Sequence, residues 1–181
     1  MNAPRLRNRR IAMLATDGFE HSELTEPKRL LEQEGAEVQV IAPGDAAEIR
    51  GCGGDWNGKV RVDLPLDGAD IAGFDALVLP GGVMNPDKLR LHPEAIDLVR
   101  RFGGTGKPLA AICHGPWTLI DAGLVEGRRL TSWPSLRKDL ENAGARWEDS
   151  EVVRDGPLIT SRKPDDIPAF ASALIEVLAM A

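Results

Sequence analysis

One stretch decides what kind of fold this chain can adopt. Leu109 to Ile112 is a short apolar run, followed without a spacer by Cys113-His114-Gly115-Pro116 and then by Trp117, Leu119 and Ile120 at helical spacing. Four apolar residues suit a buried strand. A buried strand that turns directly into a helix holds its junction residue clear of the sheet, in the geometry called a nucleophile elbow. The turn crowds the positions two before and two after the junction, and these are the small residues Ala111 and Gly115. Pro116 fits the first helical turn because the N–H it lacks has no partner there. The free N–H groups and positive end of that helix favour a thiolate over a thiol at Cys113. A lone cysteine ending an apolar strand is otherwise most often inert core; the Ala-x-Cys-x-Gly-Pro setting is what turns the reading toward reactivity.

The rest of the chain supplies the sheet that such an elbow needs. Ile11 to Ala15 reads as a buried strand, turned by Thr16, Asp17 and Gly18 into a helix from His21 to Glu34 that stops at Gly35. Val38 to Ala42 and Ala76 to Leu79 are further apolar strands, broken by Pro43-Gly44 and Pro80-Gly81-Gly82. Residues 44–70 are the least regular, with turns expected at Gly51, Gly53, Gly54 and Gly58 and a short strand at Lys59 to Val62. One or two helical turns are expected over Pro86 to Leu91, and a helix over Pro93 to Phe102. Beyond the elbow, Leu130 to Ser132 is a brief strand and Pro134 to Ala143 a helix. Asp155-Gly156 between two apolar pairs signals a hairpin. A last helix starts near Pro164 or Asp166 and ends at Ala179, its face of Ile167, Phe170, Leu174, Ile175 and Leu178 meant for the core. Strands alternating with helices give an α/β sandwich with a mostly parallel sheet. Ligands of such sheets sit beyond the carboxyl ends of the strands, where three loops meet: Asp17-Gly-Phe-Glu20, Gly81-Gly82 and Cys113-His114.

At 181 residues the chain suits one domain over 1–181, with residues 1–8 as a loose lead-in whose arginines face solvent. The net charge of −6 argues against a nucleic-acid surface. No apolar run is long enough to span a bilayer, and the apolar segment after Arg10 is too short for a signal peptide. Two cysteines, Cys52 and Cys113, form no framework, which fits a reducing cytoplasm. Cys52, between glycines, reads as a bystander. Neither Cys-x-x-Cys nor His-x-x-x-His spacing occurs, so no zinc site and no cofactor are expected.

A cysteine nucleophile needs a stabilised thiolate, an oxyanion partner and often a base. The N–H of His114 is one oxyanion donor supplied by the elbow, and Gly82 can bring a second N–H close because it has no side chain. His114 is the nearest candidate base, although its adjacency to Cys113 leaves the reach of its ring open. The only other histidines, His21 and His92, also precede residue 115. That order excludes α/β-hydrolases and glutamine amidotransferases, whose catalytic histidine follows the nucleophile.

Taken together, Ala111-Ile-Cys-His-Gly-Pro116, Phe74-Asp-Ala-Leu-Val-Leu-Pro-Gly-Gly82 and Gly18-Phe-Glu20 resemble the DJ-1/PfpI superfamily, its PfpI branch above all. Thr131-Ser-Trp-Pro134, Asn142-Ala-Gly144, Glu151-Val-Val153 and Thr160-Ser-Arg162 fit the same branch, so that the likeness runs from about Arg9 to Leu178. The resemblance implies a flavodoxin-like sandwich and self-association into dimers or hexamers. It casts Cys113 as nucleophile and redox-sensitive thiol, Glu20 as the carboxyl bonded to the sulfur, and His114 as general base. Asp87 matches the acid that orients the histidine from a neighbouring subunit, although the acid is Asp rather than Glu and the loop is one residue longer than in some relatives. Trp133 stands where several relatives place a tyrosine near the pocket, and this chain has no tyrosine. Glu20 is expected to share one proton with Cys113, or else to be only an N-terminal helix charge; Asp87 is otherwise a surface helix-start residue. Glu23 and His21 are candidates for lining the pocket, His21 also for an exposed helix position. The implied function is a stress-response enzyme whose thiolate attacks a small carbonyl compound or a peptide, as a deglycase, glyoxalase or peptidase. The rival is a redox-sensing or chaperone-like protein with little turnover.

Overall fold

Apolar runs of four to six residues, each closed by glycine or proline, become the strands, and the longer periodic segments become the helices. The structure, a computed structural model, describes residues 3–52 and 58–181. In chain order the elements are β1 (Arg10–Leu14), β2 (Phe19–Glu20), α1 (His21–Gln33), β3 (Glu37–Ala42), β4 (Glu48–Cys52), β5 (Gly58–Arg61), β6 (Leu64–Pro65), β7 (Ala76–Leu79), α2 (Met84–Leu89) and α3 (Pro93–Gly103). They continue with β8 (Leu109–Ile112), α4 (Pro116–Asp121), β9 (Arg129–Leu130), α5 (Arg137–Asn142), β10 (Arg146–Trp147), β11 (Val152–Asp155), β12 (Leu158–Ser161) and α6 (Ile167–Met180).

The main sheet runs β11-β12-β8-β7-β1-β3-β6. Every pairing in it is parallel except the β11–β12 hairpin around Asp155-Gly156. From β1 the chain steps outward to β3, then returns to the other side of β1 for β7, β8 and β12. That order is flavodoxin-like, and it puts the topological switch point between β1 and β7.

Both faces of the sheet are covered, so its strands are apolar at successive positions rather than alternate ones. Ile11 and Met13 of β1 pack with Leu24 and Leu31 of α1 and Phe170 and Leu174 of α6. Ala12 and Leu14 face the other way, toward Ile96, Val99 and Phe102 of α3 and Leu119 of α4. Each fully buried Leu, Ile or Phe contributes about 2 kcal/mol through removal of apolar surface from water. This two-sided packing holds the strand ends where three loops can converge. Among the described residues no helix is long and apolar enough to cross a membrane.

The structure departs from the sequence reading in several places. The lead-in is not loose where it is described: Leu6 is fully buried, its N–H donates to Glu34 O at 2.7 Å, and Arg5 pairs with the Glu34 carboxylate. A single leucine among arginines carries no periodic signal, so its burial is a tertiary effect. Gly51 and Gly58 are strand residues, in β4 and β5, rather than turns; Gly53 and Gly54 lie outside the described residues. Together β2, β4 and β5 form a small second sheet. The segment from Pro134 opens as a 3-10 turn, and only Arg137–Asn142 is α-helical.

Candidate active site

β8 ends against the elbow. Cys113 has φ 61°, the left-handed region that a residue with a side chain enters at a cost of about 1–2 kcal/mol. The surroundings hold it there. Its N–H donates to Ser161 O at 3.0 Å, and its carbonyl accepts the Trp133 N–H at 2.9 Å, so neither half of the residue can rotate away. A Cβ at Gly115 would run into the carbonyls of Leu79 and Ile112, which is why the chain needs glycine there. The turn leaves Cys113 only 7% exposed.

The carboxyl next to the sulfur comes from Glu23, not Glu20. Glu23 lies on the first turn of α1 and is fully buried. Its Oε2 accepts the Gly81 N–H at 3.0 Å, and the carboxyl interacts directly with the Cys113 thiol. A Cβ at Gly81 would strike both Glu23 Oε2 and Cys113 Cβ, so this glycine is what lets the acid and the sulfur meet. Glu20 instead caps α1: its Oε1 accepts from Ser22 N–H at 3.4 Å and from Ser22 Oγ–H at 3.0 Å. The physical reason is helix phase. The N-cap residue must turn its side chain back to the free N–H groups of the first turn, whereas Glu23 shares the buried face of Pro27 and Leu31. A carboxylate on that apolar stripe, at i, i+4 and i+8, was the signal available in the sequence.

Burial pushes the Glu23 carboxyl up to about 8, and the nearby Glu20 charge adds to the effect, against the hydrogen bonds from Cys113 and Gly81. Burial also pushes the Cys113 thiol up, as does a negative charge on Glu23. The backbone N–H groups of Gly82 and His114 act the other way, each drawing the thiol down by hydrogen bonding. Each member of the pair resists ionisation while the other is charged, so the two titrate as one unit. Gly82 has φ 81°, and a Cβ there would collide with Gly18 O and Glu20 N, so only glycine brings this N–H to the sulfur.

The His114 ring reaches the sulfur, with Nδ1 3.2 Å from Cys113 Sγ. Burial lowers its basicity, which keeps the imidazole neutral near pH 7. Trp133 stacks on one side of the ring at 6.2 Å and Trp117 meets its edge at 5.4 Å, and these contacts fix the ring's orientation. Trp133 is 39% exposed, so one face of the site is an aromatic rim open to solvent.

Cys113, His114, Gly82 and Trp133 are thus brought together, and Asp87 is not. Asp87 is exposed on α2, and among the described residues no hydrogen bond or ion pair joins it to His114. His21 is half-buried rather than exposed, stacked on Phe19 and packed against Gly51 and Gly58. Cys52 donates its thiol to Gly18 O at 3.2 Å. Asn85, a residue without any sequence signal, is fully buried behind the Gly81-Gly82 loop.

The model of the DJ-1/PfpI family matches residues 9–177. The chain is 43% identical over 169 residues to Deglycase TK1284 of Thermococcus kodakarensis, covering 93% of this chain and 99% of that one. It is 42% identical over 163 residues to General stress protein 18 of Bacillus subtilis, covering 90% and 93%. Among solved structures, a two-domain protein from Anabaena variabilis with DJ-1/ThiJ/PfpI-like and ferritin-like domains superposes with a TM-score of 0.88 at 36% identity. That match covers 93% of this chain and 47% of the longer one.

Proposed function

Because this chain belongs to the DJ-1/PfpI family, we propose that it is a cysteine-dependent enzyme that attacks carbonyl carbons, removing carbonyl adducts from amines as a deglycase does. The observation that carries the reading is the meeting of three groups on one sulfur: the Glu23 carboxyl, the Gly82 N–H and the His114 ring. The name of the Thermococcus relative supports the reaction class, and that of the Bacillus relative supports a stress-response setting.

In this reading the first proton to leave the Glu23–Cys113 unit leaves from sulfur, and Glu23 keeps the second. The N–H groups of Gly82 and His114 favour the thiolate, and a protonated Glu23 would add its own O–H as a third donor; a Glu23 carboxylate would instead be held by two, the Cys113 S–H and the Gly81 N–H. The thiolate then adds to the carbonyl carbon. A C–S bond forms, the C=O π pair moves to oxygen, and the N–H groups beside the sulfur stabilise the oxyanion. Neutral His114 takes the proton released by sulfur and gives it to nitrogen as the C–N bond of the adduct breaks, which frees the amine; water then adds at the sulfur-bearing carbon and the C–S bond breaks, which returns the thiolate and releases the carbonyl-derived fragment. Asp87 joins only if a second copy brings it, as the dimers or hexamers implied by the family likeness would.

The test is turnover of methylglyoxal, of methylglyoxal-treated amino acids and of a peptide reporter by wild type and by Cys113→Ser. Release of free amine from the treated amino acids, abolished by the substitution, is the expected result. Equal turnover by Cys113→Ser would end the reading. Absence of all three reactions in the wild type, with peroxide adding oxygen to Cys113 alone by mass spectrometry, would favour the redox-sensing alternative.

A further inference from the structure

Gly81 and Gly82 share one peptide unit, and that unit is trans, so its carbonyl and its N–H point in opposite directions. This loop lies against Cys113, whose Cβ would be struck by a side chain on Gly81, and the N–H, on Gly82, is the backbone donor that draws the Cys113 thiol down. The carbonyl, on Gly81, accepts two hydrogen bonds from the far side: Glu20 N–H at 3.1 Å and Asn85 Nδ2 at 3.3 Å. Asn85 Nδ2 also donates to Pro80 O at 3.0 Å, while its Oδ1 accepts Thr16 N–H at 2.8 Å. One buried amide therefore ties the end of β1 to the end of β7, the two strands at the switch point. The β1–β7 ladder stops at Met13 and Val78, and Asn85 bridges the strands where they diverge.

A peptide between two glycines is the easiest kind to turn over, because neither flanking residue has a side chain to resist the change. Gripping its carbonyl fixes the direction of its N–H. The grip also polarises the unit, since a hydrogen bond accepted at the carbonyl makes the N–H a better donor. We propose that Asn85 is a positioning residue for the nucleophile: by holding the Gly81 carbonyl it aims the Gly82 N–H at Cys113 and strengthens that donor. It touches neither the sulfur nor the reacting carbonyl and acts wholly through this peptide. The other titratable groups around the sulfur are Glu23 from α1 and His114 from the elbow, with Glu20 and Cys52 beyond Glu23. None of them is altered in charge by a neutral substitution at residue 85.

The inference rests on the reading of Cys113 as a nucleophile, but its test needs no turnover. The rate of Cys113 alkylation by iodoacetamide is measured against pH for wild type, Asn85→Ala and Leu98→Ala, the last a cavity under α3 on the far face of the sheet that controls for lost stability. The expected result is that Asn85→Ala moves the midpoint up by about one unit and slows alkylation at pH 7 about tenfold, with Leu98→Ala superimposing on wild type. A profile of Asn85→Ala that overlies wild type, or an equal shift in Leu98→Ala, overturns the proposal. Should Asn85→Ala fail to fold, 15N-labelled wild type decides: the Asn85 side-chain amide signals must move with the same midpoint as Gly82 N–H while Cys113 titrates. Asn85 signals that stay fixed would refute it. A wild type with the expected alkylation behaviour but no release of amine from carbonyl adducts would end the functional reading and leave the role of Asn85 standing.

Discussion

Replacing Glu23 by Gln tests the proton held in this site through stability rather than activity. Gln has nearly the same shape, and its side-chain oxygen can still accept the Gly81 N–H that Glu23 accepts at 3.0 Å. What it lacks is the titration. Glu23 is fully buried, and burial raises it from 4.5 to about 8. A carboxyl raised on folding keeps its full stabilisation below its unfolded value and loses it as pH rises toward the folded one. The wild type must therefore weaken between about pH 5 and pH 8, by roughly 1.4 kcal/mol per unit in mid-window and about 3 kcal/mol in all once both ends are rounded. His114 runs in the opposite sense, since burial lowers it and its contribution fades as pH falls through the ordinary histidine range. That contribution is common to both proteins and cancels in their difference. Urea unfolding at the two pH values gives the four free energies required. Glu23→Gln should gain about 3 kcal/mol on the wild type between the lower and the higher pH. A difference that stays constant across the window would mean that Glu23 ionises like an ordinary carboxylate, and the shared proton would be refuted.

Gly82→Ala puts a methyl against Gly18 O and Glu20 N at a backbone with φ 81°. It should cost about 2 kcal/mol or more in urea unfolding and slow Cys113 alkylation; an unchanged rate would show that this N–H does not serve the sulfur. Asp87→Asn removes an exposed charge without a partner among the described side chains, so unfolding should change by no more than about 0.5 kcal/mol. If a second copy supplies this acid to His114, the same variant lowers kcat while leaving alkylation unchanged; equal kcat in both proteins would remove Asp87 from the reaction.

How far the sequence could be read depended on the range of the interactions. The elbow, the parallel strands and the Asp155-Gly156 hairpin were legible because each is written in neighbouring residues: an apolar run, a turn, a helix start. Glu20 and Glu23 show the limit. Both are acids at the start of one helix beyond one strand end, and the family likeness pointed at Glu20. Only helix phase separates the cap from the buried face, and a count along the Glu23-Pro27-Leu31 stripe would have favoured Glu23. The small sheet of β2, β4 and β5 was illegible because two-residue and glycine-bearing strands have no period to detect. Leu6 and Asn85 were illegible for a deeper reason. What buries them is chain distant in sequence, Glu34 in one case and the ends of β1 and β7 in the other.

The sharpest test concerns which atom gives up the first proton. Thiolate absorbance in the ultraviolet, taken as the difference from Cys113→Ser, is followed against pH for wild type and for Glu23→Gln. If the sulfur ionises first and a protonated Glu23 supports it, loss of that acid must move the appearance of thiolate to higher pH. If the carboxyl ionises first, its charge opposes the thiolate, and Glu23→Gln must move the transition to lower pH, which would contradict the account.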